Sequence, residues 1–424
     1  MAPRLLRPAA VATLAVLVGV LALPIAAAGN GRHAVPPPTP VPVPGGGTSP
    51  SPFPTVLHTP PPSANAPHVD ARAAVLADVD SGQVLVDQDG EREAPIASLT
   101  KLMTAVLVTR RTDPADVVTV SRDAATSIGG VGVSELGLQT GERISVAQLL
   151  YALLLQSAND AAVALAEHVS GSVAAFVRAM NAAARRLGMR HTHFTSPNGL
   201  DDRGYSTALD LVKVTRAAFA DPRFARIDRT RFHRIPAPNG EAREIQNRNV
   251  LLWLYPGTIG GKTGYTSAAG YCVVAAAERG GVRLAAVVLG APGEPFSDAA
   301  ELLDYGFTAF ERRRVVDEGE RFGTVDVQGR AIPVATARPL DALLATDETV
   351  HETVVPRPGT TFPPAVGEPV ATLVVRSTRS VVRLPLVALD VPPPGPPERA
   401  GPWWRRAAGS LVEAVSGLLS GLFG

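Results

Sequence analysis

Lysine is nearly missing from this chain. Of 40 basic residues only three are lysine, namely Lys101, Lys213 and Lys262, and the rest are arginine. Arginine stays charged inside proteins, whereas a buried lysine can lose its proton and act as a base. The three survivors are therefore candidates for work that needs a compact, deprotonatable amine. Cysteine is scarcer still. The single Cys272 rules out an internal disulfide, and it lies in the apolar run Gly270-Tyr271-Cys272-Val273-Val274-Ala275, so it reads as a core thiol. His191 and His193 have no acidic or cysteine partner at ligand spacing, and no metal or other cofactor is expected. A strong charge of either sign is also lacking. The net charge of +1 gives no argument for nucleic acid or an acidic partner.

What is present divides the 424 residues into segments of different texture. Arg4 and Arg7 precede an uncharged, largely apolar stretch ending at Ala26-Ala27-Ala28, which reads as an export signal over residues 1–28, with an uncleaved anchor as the alternative. Residues 29–68 are proline-rich and have no acidic residue, so they read as an extended spacer. A folded domain is expected over 69–314. Its pattern is a hairpin (Ala73 to Val79, Gln83 to Asp87), then helical periodicity after Pro95, from Val146 to Val169, from Val173 to Leu187 and from Leu209 to Ala218. Apolar β-branched runs follow at Tyr271 to Ala277 and Val282 to Leu289. That order indicates an α+β fold. Residues 315–391 alternate and run β-branched, as in a small all-β domain. Residues 392–402 form a Pro-rich hinge. Residues 403–424 gather Trp404, Leu411, Val415 and Leu418 on one helical face, the pattern of a helix that lies on a membrane surface.

Three short motifs carry the chemistry. In Ser98-Leu99-Thr100-Lys101, three-residue spacing puts a hydroxyl and an amine on one helix face. A hydroxyl needs an adjacent base to become a nucleophile, and a neutral lysine can supply it. Ser157-Ala158-Asn159 offers a second hydroxyl to relay a proton and an amide to hold a substrate backbone. Lys262-Thr263-Gly264 follows Gly260-Gly261, precedes a strand, and offers charge for a carboxylate beside a hydroxyl. The first two motifs alone are weak and the third is unlikely to arise by accident in a chain with three lysines, and the ordered trio is the signature of penicillin-recognising serine acyl-transferases.

With these motifs the chain resembles the serine-type D-alanyl-D-alanine carboxypeptidases among the low-molecular-mass penicillin-binding proteins. Asn198-Gly199-Leu200-Asp201 and Tyr205-Ser206-Thr207-Ala208 resemble a loop beside the site, and Gly261-Lys262-Thr263-Gly264-Tyr265-Thr266 the third motif. The resemblance implies a β-lactamase/transpeptidase-like catalytic domain followed by the small all-β domain. It implies catalytic Ser98, Lys101 and Ser157, and substrate-binding Asn159, Lys262, Thr263, Gly264 and Tyr265. The backbone amides of Ser98 and Tyr265 would form the oxyanion hole. The implied partners are the peptidoglycan stem peptide, whose terminal D-Ala is removed, and β-lactam antibiotics, met at the outer face of the cytoplasmic membrane. Family members often carry an arginine soon after the last core strand, but here Ala291 to Asp298 has no basic residue. Carboxylate recognition is then expected from Lys262 and Thr263, or from an arginine elsewhere such as Arg203. Asp201 and Asp202 read as a loop cap that orders the site. A β-lactamase is the nearest rival, but Thr195 to Ser206 shows no water-activating glutamate motif. A non-catalytic wall-binding protein is the other, and the intact serine and lysine set argues against it.

Overall fold

A computed structural model of the chain describes residues 66–126, 133–293, 295–345, 348–377 and 381–389. The export signal, most of the spacer, the Pro-rich hinge and the 403–424 segment lie outside the described residues.

The first domain is built on a five-stranded antiparallel sheet. Its order is Val84–Gln88, Ala73–Asp78, Val282–Ala291, Gly270–Arg279 and Thr258–Thr266. The three central strands are apolar and buried through their middles because both faces are covered. Val75, Val274 and Val287 point into the helical side, whereas Leu76, Ala275 and Ala286 point to the other, where the helix Phe296–Ala309 packs with Leu302 and Leu303. Alternate side chains serving opposite cores is the period-2 rule of a strand. The expected hairpin is present, with Val75 opposite Asp87.

The helical side holds Lys101–Arg111, Val146–Tyr151, Asn159–Ser170, Val173–Arg186 and Ala208–Phe219. Lys101–Arg111 is its centre, buried from Lys101 through Thr109. Ser172 and Thr207 cap their helices by accepting from Ala175 N and Asp210 N.

Two local expectations change. The periodicity from Val146 to Val169 suggests one helix, but the chain makes a helix to Tyr151, a π-type turn over Ala152–Gln156 and a new helix from Asn159. The break is Ser157, in the left-handed region at φ 63°. Apolar spacing continues across a one-residue reversal, so periodicity does not see it. The Lys262-Thr263-Gly264 triplet lies inside the edge strand Thr258–Thr266 rather than before a strand, because its glycines hide the β pattern.

Among the described residues beyond Ala309 the regular elements are all strands. A five-stranded sheet runs in the order Arg321–Val327, Arg330–Thr336, Val381–Ala388, Pro369–Arg376 and His351–Pro356, over a core of Ile332, Val334, Leu373 and Leu386. The strand Phe310–Val316 crosses the expected 314/315 boundary and pairs with Leu340–Ala345. Gln83 fixes that pair to the first domain, donating to Leu343 O at 2.6 Å and accepting from Leu343 N at 3.0 Å.

Candidate active site

The three motifs, scattered over more than 160 residues of sequence, come together at one end of the sheet. Ser98 sits in a 3₁₀ turn, Ala97–Thr100, that leads directly into the Lys101–Arg111 helix. Ala97 is held at φ 46°, an unfavourable setting for a residue with a Cβ. It turns the chain sharply just before the serine.

Lys101 is completely buried. Its Nζ lies 2.8 Å from Ser98 Oγ, 2.6 Å from Asn159 Oδ1 and 2.9 Å from Asn198 O. Burial holds its pKa well below the usual lysine value, and the positive charges of Lys262 and Arg248 push the same way, against Asp160. Hydrogen bookkeeping then assigns the roles. A neutral amine has two N–H groups and one lone pair. The carbonyl oxygens of Asn159 and Asn198 can only accept, so they take the two hydrogens. The lone pair is left for the Ser98 hydroxyl.

Ser157 is buried, and its Oγ has no hydrogen-bond partner among the described residues. An orphaned buried hydroxyl at a strained backbone position costs on the order of 1–3 kcal/mol for each feature, which suits a group kept for a ligand. Asn159 is oriented by donating through Nδ2 to Ser134 O at 3.0 Å. The neighbouring Asp160 anchors the segment carrying Ser134, accepting from Leu136, Gly137 and Leu138 N–H groups at 2.9–3.1 Å.

Lys262 is also buried, with Nζ donating to Thr263 O at 2.9 Å. Burial, then Arg248, lowers it to about 7, partly offset by Asp228. Gly264 packs on the Ser98 turn: a Cβ there would lie 3.1 Å from Ser98 N and 3.0 Å from Ile96 O. The serine's backbone amide therefore adjoins the strand that carries Tyr265. Tyr265 itself is exposed and leans on Tyr271 with ring centroids 4.6 Å apart. Ser98, Lys101, Ser157, Asn159 and the 262–265 strand thus share one location.

Other candidates settle elsewhere. Arg203 is engaged with Asp201, through Nε at 2.9 Å and a terminal nitrogen at 2.6 Å, which pulls the Asp201 carboxyl down to about 2. Arg203 is exposed and paired with Asp201 within its own loop. Asp202 accepts from Thr266 Oγ1 at 2.7 Å, in keeping with a site-ordering loop. Burial pushes the Cys272 thiol up to about 11, as expected of a core thiol.

Arg248 was not singled out by the sequence reading, yet its charge acts on both active-site lysines. Its N–H donates to Leu155 O at 3.0 Å, and the flanking Asn247 and Asn249 donate to Asp228 O and Gly260 O. The polar run Gln246-Asn247-Arg248-Asn249 ahead of an apolar helix was the available signal.

Known proteins similar to this chain identify its family. The chain is 31% identical over 327 residues to the D-alanyl-D-alanine carboxypeptidase DacF of Bacillus subtilis, an alignment covering 74% of this chain and 83% of the relative. It is 42% identical over 257 residues to the D-alanyl-D-alanine carboxypeptidase DacB2 of Mycobacterium tuberculosis, covering 58% and 86%. The fold matches penicillin binding protein 5 from Haemophilus influenzae with a TM-score of 0.67 at 28% identity, over 78% of this chain and 99% of that one. Residues 61–293, the span that holds all three motifs, match the model of the D-alanyl-D-alanine carboxypeptidase family, peptidase family S11, and the chain belongs to that family.

Proposed function

We propose that this protein is a serine D-alanyl-D-alanine carboxypeptidase that removes the terminal D-Ala of the peptidoglycan stem peptide. The observation that carries the reading is the contact of Ser98 Oγ with a fully buried Lys101 whose two other partners are obligate acceptors. Ser98 Oγ attacks the carbonyl carbon of the penultimate D-Ala and passes its proton to Lys101 Nζ. The tetrahedral oxyanion lies between the Ser98 and Tyr265 backbone amides, where fixed donors are worth most. The C–N bond breaks, Ser157 relays a proton to the leaving D-Ala amine, and an ester to Ser98 remains. Water then attacks that ester, and Ser98 recovers its proton as the shortened peptide leaves. Asn159 holds the substrate backbone, and the strand Lys262-Thr263-Gly264 pairs with it. The buried ammonium of Lys262, supported by Arg248, receives the terminal carboxylate. A β-lactam presents a reactive amide and a carboxylate to the same groups and acylates Ser98.

The enzyme acts after export, and the 403–424 segment rests on the outer face of the cytoplasmic membrane; the support is its amphipathic sequence pattern. Truncation after Pro397 tests this, since the shortened protein should become soluble with its peptidase activity intact. The function is tested with a pentapeptide ending in D-Ala-D-Ala. Wild type should release D-alanine and be labelled by fluorescent penicillin, and Ser98→Ala should do neither. Equal labelling of the two would end the assignment.

A further inference from the structure

Among the buried ionisable groups that the motifs leave unused is Asp228. Asp228 ends the helix Pro222–Asp228 and is fully buried. A helix C-terminus is an unfavourable place for a carboxylate, and so is the interior. Its Oδ1 has no hydrogen-bond partner among the described residues. Its Oδ2 accepts from Gly261 N at 2.6 Å. A neutral residue would be less costly here unless the oxygen and the charge both serve a purpose.

Both act on Lys262. Gly260 and Gly261 lie at φ 143° and 136°, and they thread a narrow passage. A Cβ on Gly260 would lie 2.3 Å from Asp228 Oδ2, and one on Gly261 2.0 Å from Val274 O. The backbone just before Lys262 is thus gripped between the aspartate and the neighbouring strand. The charges facing Lys262 are Arg248 on the preceding turn, Lys101 on the Lys101–Arg111 helix, and Asp228. Asp228 is the acidic group among them, ionised as pH rises past about 7. We propose that Asp228 is a positioning residue for the carboxylate-binding Lys262, fixing its backbone through Gly261 N and keeping its amine protonated among like charges.

Burial raises Asp228 to about 7 and lowers Lys262 to about 7, and each partly offsets the other. Removing the anion must move Lys262 further down, so its ammonium is lost at lower pH. This inference rests on the assignment of Lys262 to the substrate carboxylate.

The test uses the full chain with Asp228→Asn, Asp228→Ala and Lys262→Gln, measuring second-order acylation by fluorescent penicillin across pH. Steady-state kcat and KM on the pentapeptide and thermal unfolding accompany it. Asn keeps an acceptor for Gly261 N and the shape, but not the charge. Asp228→Asn should move the alkaline limb of acylation to lower pH. Its rate should fall roughly tenfold at about pH 8 and stay within about threefold of wild type at about pH 6, with the peptide loss mainly in KM. Asp228→Ala should lose activity at every pH and unfold at lower temperature. If Asp228→Asn loses activity equally at all pH, or keeps the wild-type limb, while Lys262→Gln is impaired, the positioning role is wrong and the lysine assignment stands. If Lys262→Gln acylates like wild type, the lysine assignment itself fails and this inference fails with it.

Discussion

Thr266 Oγ1 donates to Asp202 Oδ1 at 2.7 Å, joining the end of the strand Thr258–Thr266 to the loop that carries Asp201 and Asp202. The same loop carries Asn198, whose carbonyl receives Lys101, and Pro197, whose carbonyl receives Thr104 Oγ1 at 2.6 Å. The loop is thus held at its base by the nucleophile helix and at its rim by the strand. Thr266→Val keeps shape and removes the donor. Losing one exposed hydrogen bond should cost the fold about 0.5–1.5 kcal/mol, an unfolding temperature lower by only a few degrees, while the loosened loop should lower kcat/KM on the pentapeptide by about two- to tenfold. Unchanged kcat/KM would show that the rim contact does not matter to the site.

Gly199 in that loop lies at φ 81°, and a Cβ there would come within 1.9 Å of Ala97 O. Backbone cannot move aside as a flexible side chain can. Gly199→Ala must displace either the loop or the strained turn that presents Ser98, besides adding left-handed strain of about 1 kcal/mol. Penicillin labelling should drop at least about tenfold at temperatures where circular dichroism still reports a folded protein. Labelling at the wild-type rate would mean that the turn tolerates the shift.

How much of this was legible in the sequence depends on which physics each feature uses. Ser98 and Lys101 were legible because helical spacing alone brings them together, and the α+β order of hairpin, helices and late strands followed from strand and helix periods. The Ser157 reversal was not, because a single left-handed residue leaves no periodic trace. Asp228 left no trace and Arg248 only a faint one, for a different reason. Their roles arise from burial and from charges on distant segments, and a lone Asp in Arg226-Ile227-Asp228-Arg229 looks like a solvated helix end. The loop pairing of Arg203 with Asp201 likewise depends on a conformation that composition does not set.

The two buried lysines give opposite demands on pH. Lys101 must be neutral to take the Ser98 proton, so acylation should rise as pH climbs through its depressed pKa. Lys262 must be charged to hold a carboxylate, so acylation should fall as pH rises past about 7. The product is a bell whose limbs belong to the coupled pair rather than to either residue alone. A penicillin ester lacking the free carboxylate should lose the alkaline limb and keep the acid one. If acylation by ordinary penicillin keeps rising well above neutrality, the charge requirement at Lys262 is wrong.

The scarcity of lysine makes a sharper test possible, because arginine serves this protein at nearly every other basic position. Lys101→Arg keeps the length approximately, but a guanidinium stays protonated throughout the accessible pH range and offers no lone pair. It would also have to fit a fully buried space shaped around three short contacts. Penicillin acylation should be abolished. Lys213→Arg is the control. Lys213 is partly exposed, donating to Gly188 O at 2.6 Å and Asp210 Oδ1 at 2.7 Å, contacts that a guanidinium can also make, and the rate should stay within about twofold. Lys262→Arg should fall between, because charge survives while the planar group is misplaced in a buried slot. The measurement is the second-order acylation rate of all three variants beside wild type. Positioned proton transfer contributes about a hundredfold or more, so a Lys101→Arg protein acylating within about tenfold of wild type would remove Lys101 from the base role, whatever its distance from Ser98.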